Sequence, residues 1–181
     1  MFHRRTELGA IVCRLVKRKS RKSMNETGSL IQICIADAAG APMRTVPDAE
    51  CVAGRGIAGD RYFLGTGTFS PSAKKPSQEV TLVEIEEIER FNAHSGADLP
   101  AENLRRNLVT RGIGLNDLVG RRFAIGSVVF EGIRLCEPCS YLAGKTRPDV
   151  LQALLHKAGL RAAIVEGGTV RVGDAVQVRP D

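Results

Sequence analysis

The sequence lacks any apolar run close to the roughly 20 residues that a helix needs to cross a bilayer. It also lacks the apolar core and small-residue cleavage site of a secretory signal peptide. Its five cysteines are irregularly spaced, and no second CxxC or HxxxH pair completes a four-ligand zinc site. These absences argue against a membrane protein, a disulfide-rich secreted domain and structural zinc, and they predict a cytoplasmic protein with reduced thiols.

The positive charge is concentrated at one end of the chain. The 181 residues carry a net charge of +6, from 26 Lys and Arg against 20 Asp and Glu. Residues 1–23 hold eight of these bases and one of these acids, which leaves 18 bases and 19 acids elsewhere. This distribution argues against nucleic-acid binding, which needs a basic surface on the folded domain. We expect residues 1–23 to be a basic, disordered extension, with Met24 as an alternative start, and residues 24–181 to form one domain.

Short β-rich segments separated by Gly and Pro turns dominate the sequence from Ser29 onward. Only residues 84–94 and 147–159 show the apolar spacing of a helix, and residues 65–77 have the composition of a mobile loop. The pattern predicts a mostly-β fold, a closed or partly closed β-barrel with two or three peripheral helices. The predicted strands are 29–36, 49–53, 78–84, 107–110, 121–126, 128–135, 161–167 and 175–180.

The segment GRGIAGD at 54–60 matches the GxGxxG pattern of dinucleotide-binding proteins, with Glu79 twenty positions after the third glycine. That fingerprint requires a helix after the third glycine, and DRYFLGTGTFSPS shows no helical period. We therefore reject dinucleotide binding. Two interpretations remain: a plain turn, or a set of backbone N–H groups that binds an anion with help from Arg55 and Arg61.

Basic residues also cluster in LRRNLVTRG at 104–112, where Arg105, Arg106 and Arg111 surround a short strand. Guanidinium groups at this density suit phosphate or carboxylate binding, although charges on a solvated edge strand would give the same pattern. Asn107 favours a ligand site, because its amide both donates and accepts hydrogen bonds.

RLCEPC at 134–139 holds the CxxC pair, Cys136 and Cys139. The pair resembles the CxPC of thiol-disulfide oxidoreductases, but it lies late in an apparently all-β chain and not in a βαβ unit. The alternatives are a single reactive thiolate that binds a soft metal or carries sulfur, and two buried cysteines without chemistry. Cys13, Cys34 and Cys51 are predicted to be core or tail residues and not ligands. His94 and His156 lie near the ends of the predicted helices, where capping or a surface position is expected, and they are assigned no catalytic role.

Five segments in order resemble the MOSC domain, named for the C-terminal domain of molybdenum cofactor sulfurases. They are GRGIAGDRYF, LRRNLVTRGI, LVGRRFAIGSVVFEG, RLCEPC and EGGTVRVGDAV, and the resemblance spans about residues 29–178. It implies a barrel-like fold and a functional cysteine, which corresponds to Cys139 here.

The resemblance further implies that the protein binds the molybdenum cofactor (molybdopterin), with Cys139 as the metal or sulfur ligand and Cys136 as a second catalytic candidate. It places cofactor-binding residues at Gly59, Asp60, Arg61, Arg105, Arg106 and Asn107. One implied activity is reduction of N-hydroxylated substrates with an electron-donating reductase as partner. The alternatives are a sulfur carrier that accepts persulfide from a cysteine desulfurase, and thiol-disulfide exchange.

Overall fold

A computed structural model describes residues 27–70 and 75–179, so the predicted extension at 1–23 and Cys13 lie outside the described residues. Eleven strands and four short helices are assigned there. The strands are β1 Thr27–Ile35, β2 Arg44–Val46, β3 Asp48–Val52, β4 Gly56–Ile57, β5 Val80–Glu84, β6 Leu108–Arg111, β7 Arg122–Ile125, β8 Val128–Leu135, β9 Leu160–Glu166, β10 Gly168–Arg171 and β11 Ala175–Val178. The helices are α1 Arg61–Leu64, α2 Ile85–Ser95, α3 Ser140–Lys145 and α4 Val150–Ala153.

Seven strands close into a barrel in the order β11-β7-β8-β9-β5-β6-β1, with β1 and β11 paired to complete the ring. All neighbours are antiparallel except β5 and β6, which are parallel. Strand β2 extends the sheet beside β1, and β10, β3 and β4 form a second, smaller sheet. The predicted mostly-β barrel with peripheral helices is confirmed.

The two-residue period of the strands separates the barrel core from the outer surface. In β9, Leu160, Ala162 and Ile164 are buried in the main apolar cluster, whereas the residues between them are partly exposed. Alternation of this kind is expected for a sheet with one buried face. The intervening Arg161 therefore lies on the opposite face of the sheet, where it lines the cleft described below.

Helix α2 confirms the helix predicted at 84–94. Its buried residues Ile88 and Phe91 lie in a second apolar cluster outside the barrel, and Gly96 ends it in the left-handed conformation at φ 62°. None of the helices in the described residues is long and apolar enough to cross a membrane.

The helix predicted at 147–159 is wrong in length, because α4 ends at Ala153. His156 has a φ of 60° and Gly159 a φ of 116°, and these left-handed residues turn the chain into β9. Leu155, one of the apolar residues whose spacing predicted the helix at 147–159, is exposed, whereas Leu154 is buried. An apolar run across a turn had imitated helical spacing.

Candidate functional site

One cleft brings together several of the residues that the sequence singled out. It forms between α1 with the loop that follows it, the segment at 105–106, and the CEPC loop with α3. The cleft is open to solvent, and its cavity volume is about 60 Å³. Its lining residues are Arg61, Tyr62, Thr68, Phe69, Thr81, Arg105, Arg106, Glu137, Cys139, Tyr141, Leu142 and Arg161.

Cys139 is the exposed cysteine of the four in the described residues, and it lies immediately before α3 in an extended conformation. Cys136 is only 1% exposed. Burial raises the pKa of Cys34 to about 12, with the Glu102 charge adding to it, and burial raises that of Cys51 to about 12 with help from Glu50. The accessible thiol of the described residues is therefore in the cleft.

Hydrogen bonds made by the two residues Cys136 and Glu137, which precede Cys139, hold the CEPC loop. The Cys136 N–H donates to the Gly159 carbonyl (2.7 Å), and the Cys136 carbonyl accepts from Arg106 Nη2 (3.0 Å). The Glu137 carboxylate accepts from the backbone N–H (2.8 Å) of His156 and lies 2.7 Å from its Nδ1. Burial alone would raise the pKa of Glu137, but these bonds from His156 outweigh it and lower the pKa. The backbone that presents Cys139 is thus held by Arg106 and by the turn before β9.

Asp60 positions Arg61 at the start of α1. Its Oδ1 accepts from Arg61 Nη1 at 2.9 Å and from the Ala36 N–H, while its Oδ2 accepts from the Tyr62 N–H and caps the helix. The Arg61 and Asp60 side chains are 5% and 3% exposed, so the ion pair is almost fully buried. Gly59 precedes them at a φ of 78°, and a left-handed residue there lets the chain turn into the cap.

Helix α1 corrects the sequence analysis, which expected no helix after the third glycine. Four residues are too few to show an apolar period, so no pattern in the sequence indicated this helix. The three glycines all have positive φ, in agreement with a turn. Glu79, which imitated the ribose-binding acid of a dinucleotide fold, is buried and accepts from the Gly54 N–H (3.1 Å) and the Ile164 N–H (2.9 Å). It fastens the glycine turn to β9.

The guanidinium group of Arg106 is buried and bonded entirely to backbone oxygens. Nε donates to the Ala158 carbonyl (2.9 Å), Nη1 to the Leu104 carbonyl (3.2 Å) and Nη2 to the Cys136 carbonyl (3.0 Å). These bonds join the segment before β6 to the CEPC loop and to the turn before β9. Arg106 therefore contributes both charge and rigidity to the cleft.

Arg105 and Arg161 also lack a carboxylate partner in the part of the chain that the structure describes. Arg105 has a φ of 58° and donates to the Ala41 carbonyl (2.8 Å), and Arg161 donates to the Ser77 carbonyl (3.2 Å). Partial burial lowers the pKa of Arg105, and the neighbouring Arg61 lowers it further. Of the four arginines that line the cleft, only Arg61 forms an ion pair within residues 27–70 and 75–179. The cleft is consequently suited to an anion.

Asn107 lies behind the cleft and does not line it. Its Oδ1 accepts from the Thr81 N–H (3.2 Å) and hydroxyl (2.9 Å), and its Nδ2 donates to the Cys34 carbonyl (3.2 Å). The amide thus joins β5, β6 and β1, and its assignment as a cofactor ligand stays a prediction. Arg111 lies on the surface, bonded to Glu89 (2.6 Å).

An aromatic wall in the cleft was missed by the sequence analysis. The rings of Phe69 and Tyr141 meet edge to face, with centroids 5.7 Å apart. The Thr68 hydroxyl donates to the Tyr141 hydroxyl (3.4 Å) and lowers the pKa of Tyr141, and the positive charge of Arg105 contributes. These residues lie in loops or in a short helix, so no periodicity marked them. Arg161 could have been found only from the alternation in β9 once the barrel was known.

The described residues contain no group of three or more His, Cys, Asp and Glu side chains that could hold a metal ion. A metal centre in this cleft would thus rest on the thiolate of Cys139 alone, with its remaining ligands supplied by a cofactor. The cleft offers the chemistry for such a group: one soft donor and several anion-binding guanidinium groups.

The model of one protein family, the MOSC domain, matches residues 59–177. No functionally curated protein matches the sequence at a significant level. Among solved structures, YuaD from Bacillus subtilis has 21% identity and a TM-score of 0.68, covering 84% of this chain and 95% of its own. YiiM from Geobacillus stearothermophilus has 14% identity and a TM-score of 0.66, covering 84% and 75%. YiiM from Escherichia coli has 14% identity and a TM-score of 0.60, covering 83% and 71%. At these identities the structural likeness shows the fold.

Proposed function

Because this chain belongs to the MOSC domain family, which is associated with the molybdenum cofactor, we propose that it binds that cofactor with Cys139 as the metal or sulfur ligand. The observation that carries the proposal is the position of the accessible thiol in a cleft with four guanidinium groups. A thiolate suits a soft, polarizable metal, and guanidinium groups suit the phosphate of the pterin.

In this proposal the residues of the cleft have three different roles: they bind the phosphate, add positive charge, or hold the loop that carries Cys139. Arg105 and Arg161, which have no carboxylate partner in the described residues, would bind the phosphate. Arg61 is already held by Asp60 and would add charge without moving. Arg106 and Glu137 would hold the loop that carries Cys139. The cofactor, when bound, would supply two-electron redox chemistry at molybdenum.

The reaction class that we propose is reduction of N-hydroxylated compounds, with electrons from a separate reductase. The chain's own contribution to such a reaction is to bind and orient. Phe69 and Tyr141 offer apolar surface to a substrate at the cleft, and the Tyr141 hydroxyl, already bonded to Thr68, is a polar contact beside it. The barrel behind the cleft is packed and excludes water from the buried face.

Cofactor content tests the proposal directly. The protein is produced in a host that makes the cofactor, and molybdenum and pterin are measured per mole of chain. We expect near-equimolar content in the wild type and in Cys136→Ser, and a large loss in Cys139→Ser. Arg105→Gln with Arg161→Gln should lower the pterin content, whereas Arg122→Gln, exposed on β7 outside the cleft, should leave it unchanged. A folded wild-type protein without either component would refute cofactor binding.

The exposure of Cys139 also supports a second function, that of a sulfur carrier which accepts persulfide from a cysteine desulfurase. A carrier thiol must be reached by another protein, and Cys139 is exposed whereas Cys34, Cys51 and Cys136 are buried. After incubation with a desulfurase and cysteine, mass spectrometry should find one added sulfur atom on Cys139 without any metal. Sulfur on neither cysteine of the CEPC loop would exclude this function.

The burial of Cys136 favours one working thiol over a thiol-disulfide exchange pair. Its side chain is buried and both its backbone N–H and its carbonyl are hydrogen-bonded. An exchange mechanism of the CxxC type needs both sulfur atoms. Cys136→Ser should therefore keep both the cofactor content and the acceptance of sulfur measured in the two assays above. Loss of either property in a folded Cys136→Ser protein would favour a mechanism that uses both cysteines.

A further inference from the structure

We propose that Cys139 is a site of reversible mixed-disulfide formation with small anionic disulfides, the class to which oxidised glutathione belongs. The inference concerns the thiol and the charge of the cleft in the cofactor-free protein, and it does not rest on the proposed cofactor binding. Two observations carry it: the accessible thiol lies in a cleft lined by four arginines, and the nearest other cysteine in sequence is buried.

Charge in the cleft selects the disulfide. Arg105, Arg106 and Arg161 have only backbone acceptors in the described residues, so their charges are not neutralised by a carboxylate. Among the described residues, the one acid that lines the cleft is Glu137, and it is bonded to His156. A cleft with charges of one sign raises the local concentration of the opposite ion about tenfold or more. Carboxylate-bearing disulfides should therefore reach Cys139 far more often than neutral or cationic disulfides do.

The reaction is an exchange and requires no further oxidant. The Cys139 thiolate attacks one sulfur of the disulfide, the original S–S bond breaks, and a bond forms between Cys139 and that sulfur. The second half leaves as a thiolate and takes a proton from water. The number of disulfide bonds does not change, and an external thiol can reverse the step by the same chemistry.

The product should persist, because Cys136 is poorly placed to release it. A resolving thiol must reach the mixed disulfide, but Cys136 is 1% exposed and its backbone is held by Gly159 and Arg106. Cys34 and Cys51 are buried as well. Release of the mixed disulfide then depends on an external thiol. The fraction of Cys139 that is modified therefore reflects the ratio of thiol to disulfide in the surrounding solution.

Three disulfides of similar size but different charge test the selection: 3,3′-dithiodipropionate, 2-hydroxyethyl disulfide and cystamine. Rates of modification at Cys139 are followed by mass spectrometry with peptide mapping, which also separates Cys139 from Cys13. Each rate is divided by that disulfide's rate with N-acetylcysteine amide, a neutral thiol, to remove differences in intrinsic reactivity. We expect the anionic disulfide to exceed the neutral one by about tenfold or more at low salt, with the cationic one slowest.

Variants show whether the arginines cause the preference. Arg105→Gln with Arg161→Gln should lower the normalised rate of the anionic disulfide severalfold and leave that of the neutral disulfide unchanged. Arg122→Gln should change neither rate, and Cys136→Ser should leave a stable mixed disulfide as in the wild type. Equal normalised rates for the three disulfides, or spontaneous conversion of the adduct to a Cys136–Cys139 disulfide, would overturn the proposal. Because these readouts need no molybdenum, their failure is separate from failure of cofactor binding.

Discussion

Replacing Arg106 by methionine tests whether a buried cation holds the CEPC loop against the barrel. Methionine keeps a long, flexible side chain but cannot donate hydrogen bonds. The substitution leaves the carbonyls of Leu104, Cys136 and Ala158 without the donors that now lie 2.9 to 3.2 Å away. Local water cannot readily replace these donors, because Arg106 is 8% exposed.

The expected loss of stability is the difference between two larger quantities. Hydrogen bonds to a charged group each contribute about 1.5 to 3 kcal/mol, so three bonds give roughly 4.5 to 9 kcal/mol. Burial of a charge without a carboxylate partner costs several kcal/mol, and methionine removes that cost. We expect a net destabilisation of about 3 kcal/mol, which corresponds to a Tm lower by roughly 6 to 12 °C in a protein of this size.

Urea unfolding followed by circular dichroism measures this difference, with Arg122→Met as the matched control. Arg122 is exposed on β7, and its replacement should change the free energy of unfolding by less than about 0.5 kcal/mol. The rate at which a small neutral thiol reagent labels Cys139 should rise in Arg106→Met, since the loop loses one of its anchors. A stability within about 0.5 kcal/mol of the wild type, with unchanged labelling, would refute the role assigned to Arg106.

Three further predictions follow from other contacts. Gly159→Ala should lower the Tm strongly, because φ is 116° and an added Cβ would collide with a β5 carbonyl oxygen, whereas Gly96→Ala, at φ 62° with open space around it, should cost only about 1 kcal/mol. His156→Ala should return the lowered pKa of Glu137 partway toward its usual value in an NMR titration, because the variant loses the ring but keeps the backbone N–H that also donates to this carboxylate. The ionised carboxylate of Glu137 stabilises the fold at pH values above its ordinary pKa, and this contribution is lost as pH falls through the lowered pKa. The free energies of unfolding of wild type and variant should therefore converge in acid. Cys51, with a pKa raised to about 12, should resist alkylation at pH 9 until the protein is denatured.

The barrel was predictable because its strands carry their signal locally. Residues 128–135 were predicted as a strand from β-branched and apolar content, and β8 has those same bounds. Helix α2 shows its period over eleven residues. Helices α1 and α3, with four and six residues, are too short to show one. The apolar spacing of Leu154 and Leu155 predicted that the helix continues past Ala153. The left-handed conformations of His156 and Gly159, which turn the chain into β9, have no local pattern in the sequence that predicts them.

The candidate site was only partly predictable, because its residues meet through tertiary contacts. Cys139 and Arg61 were identified by their motifs and do share a cleft. Arg161 was missed, since its significance depends on which face of β9 meets the cleft. Asn107 has the residue type of a ligand, but its amide is used within the β5–β6 junction. Residue type shows which side chains are able to bind a ligand. Tertiary packing determines which of these side chains still have free donors or acceptors in the folded protein.

The closing pair of the barrel places a constraint on the order of folding. Thr27 lies opposite Gln177 in the register of β1 and β11, so the ring joins segments almost a whole domain apart in sequence. During synthesis, β1 is made long before β11, so the edge of β1 that pairs with β11 stays unpaired until the end of the chain is made. Unpaired edges invite association with other chains, and distant pairings form slowly. The nascent chain is therefore most exposed to misassembly just before the ribosome releases β11, when the same closure that later protects the barrel has yet to occur.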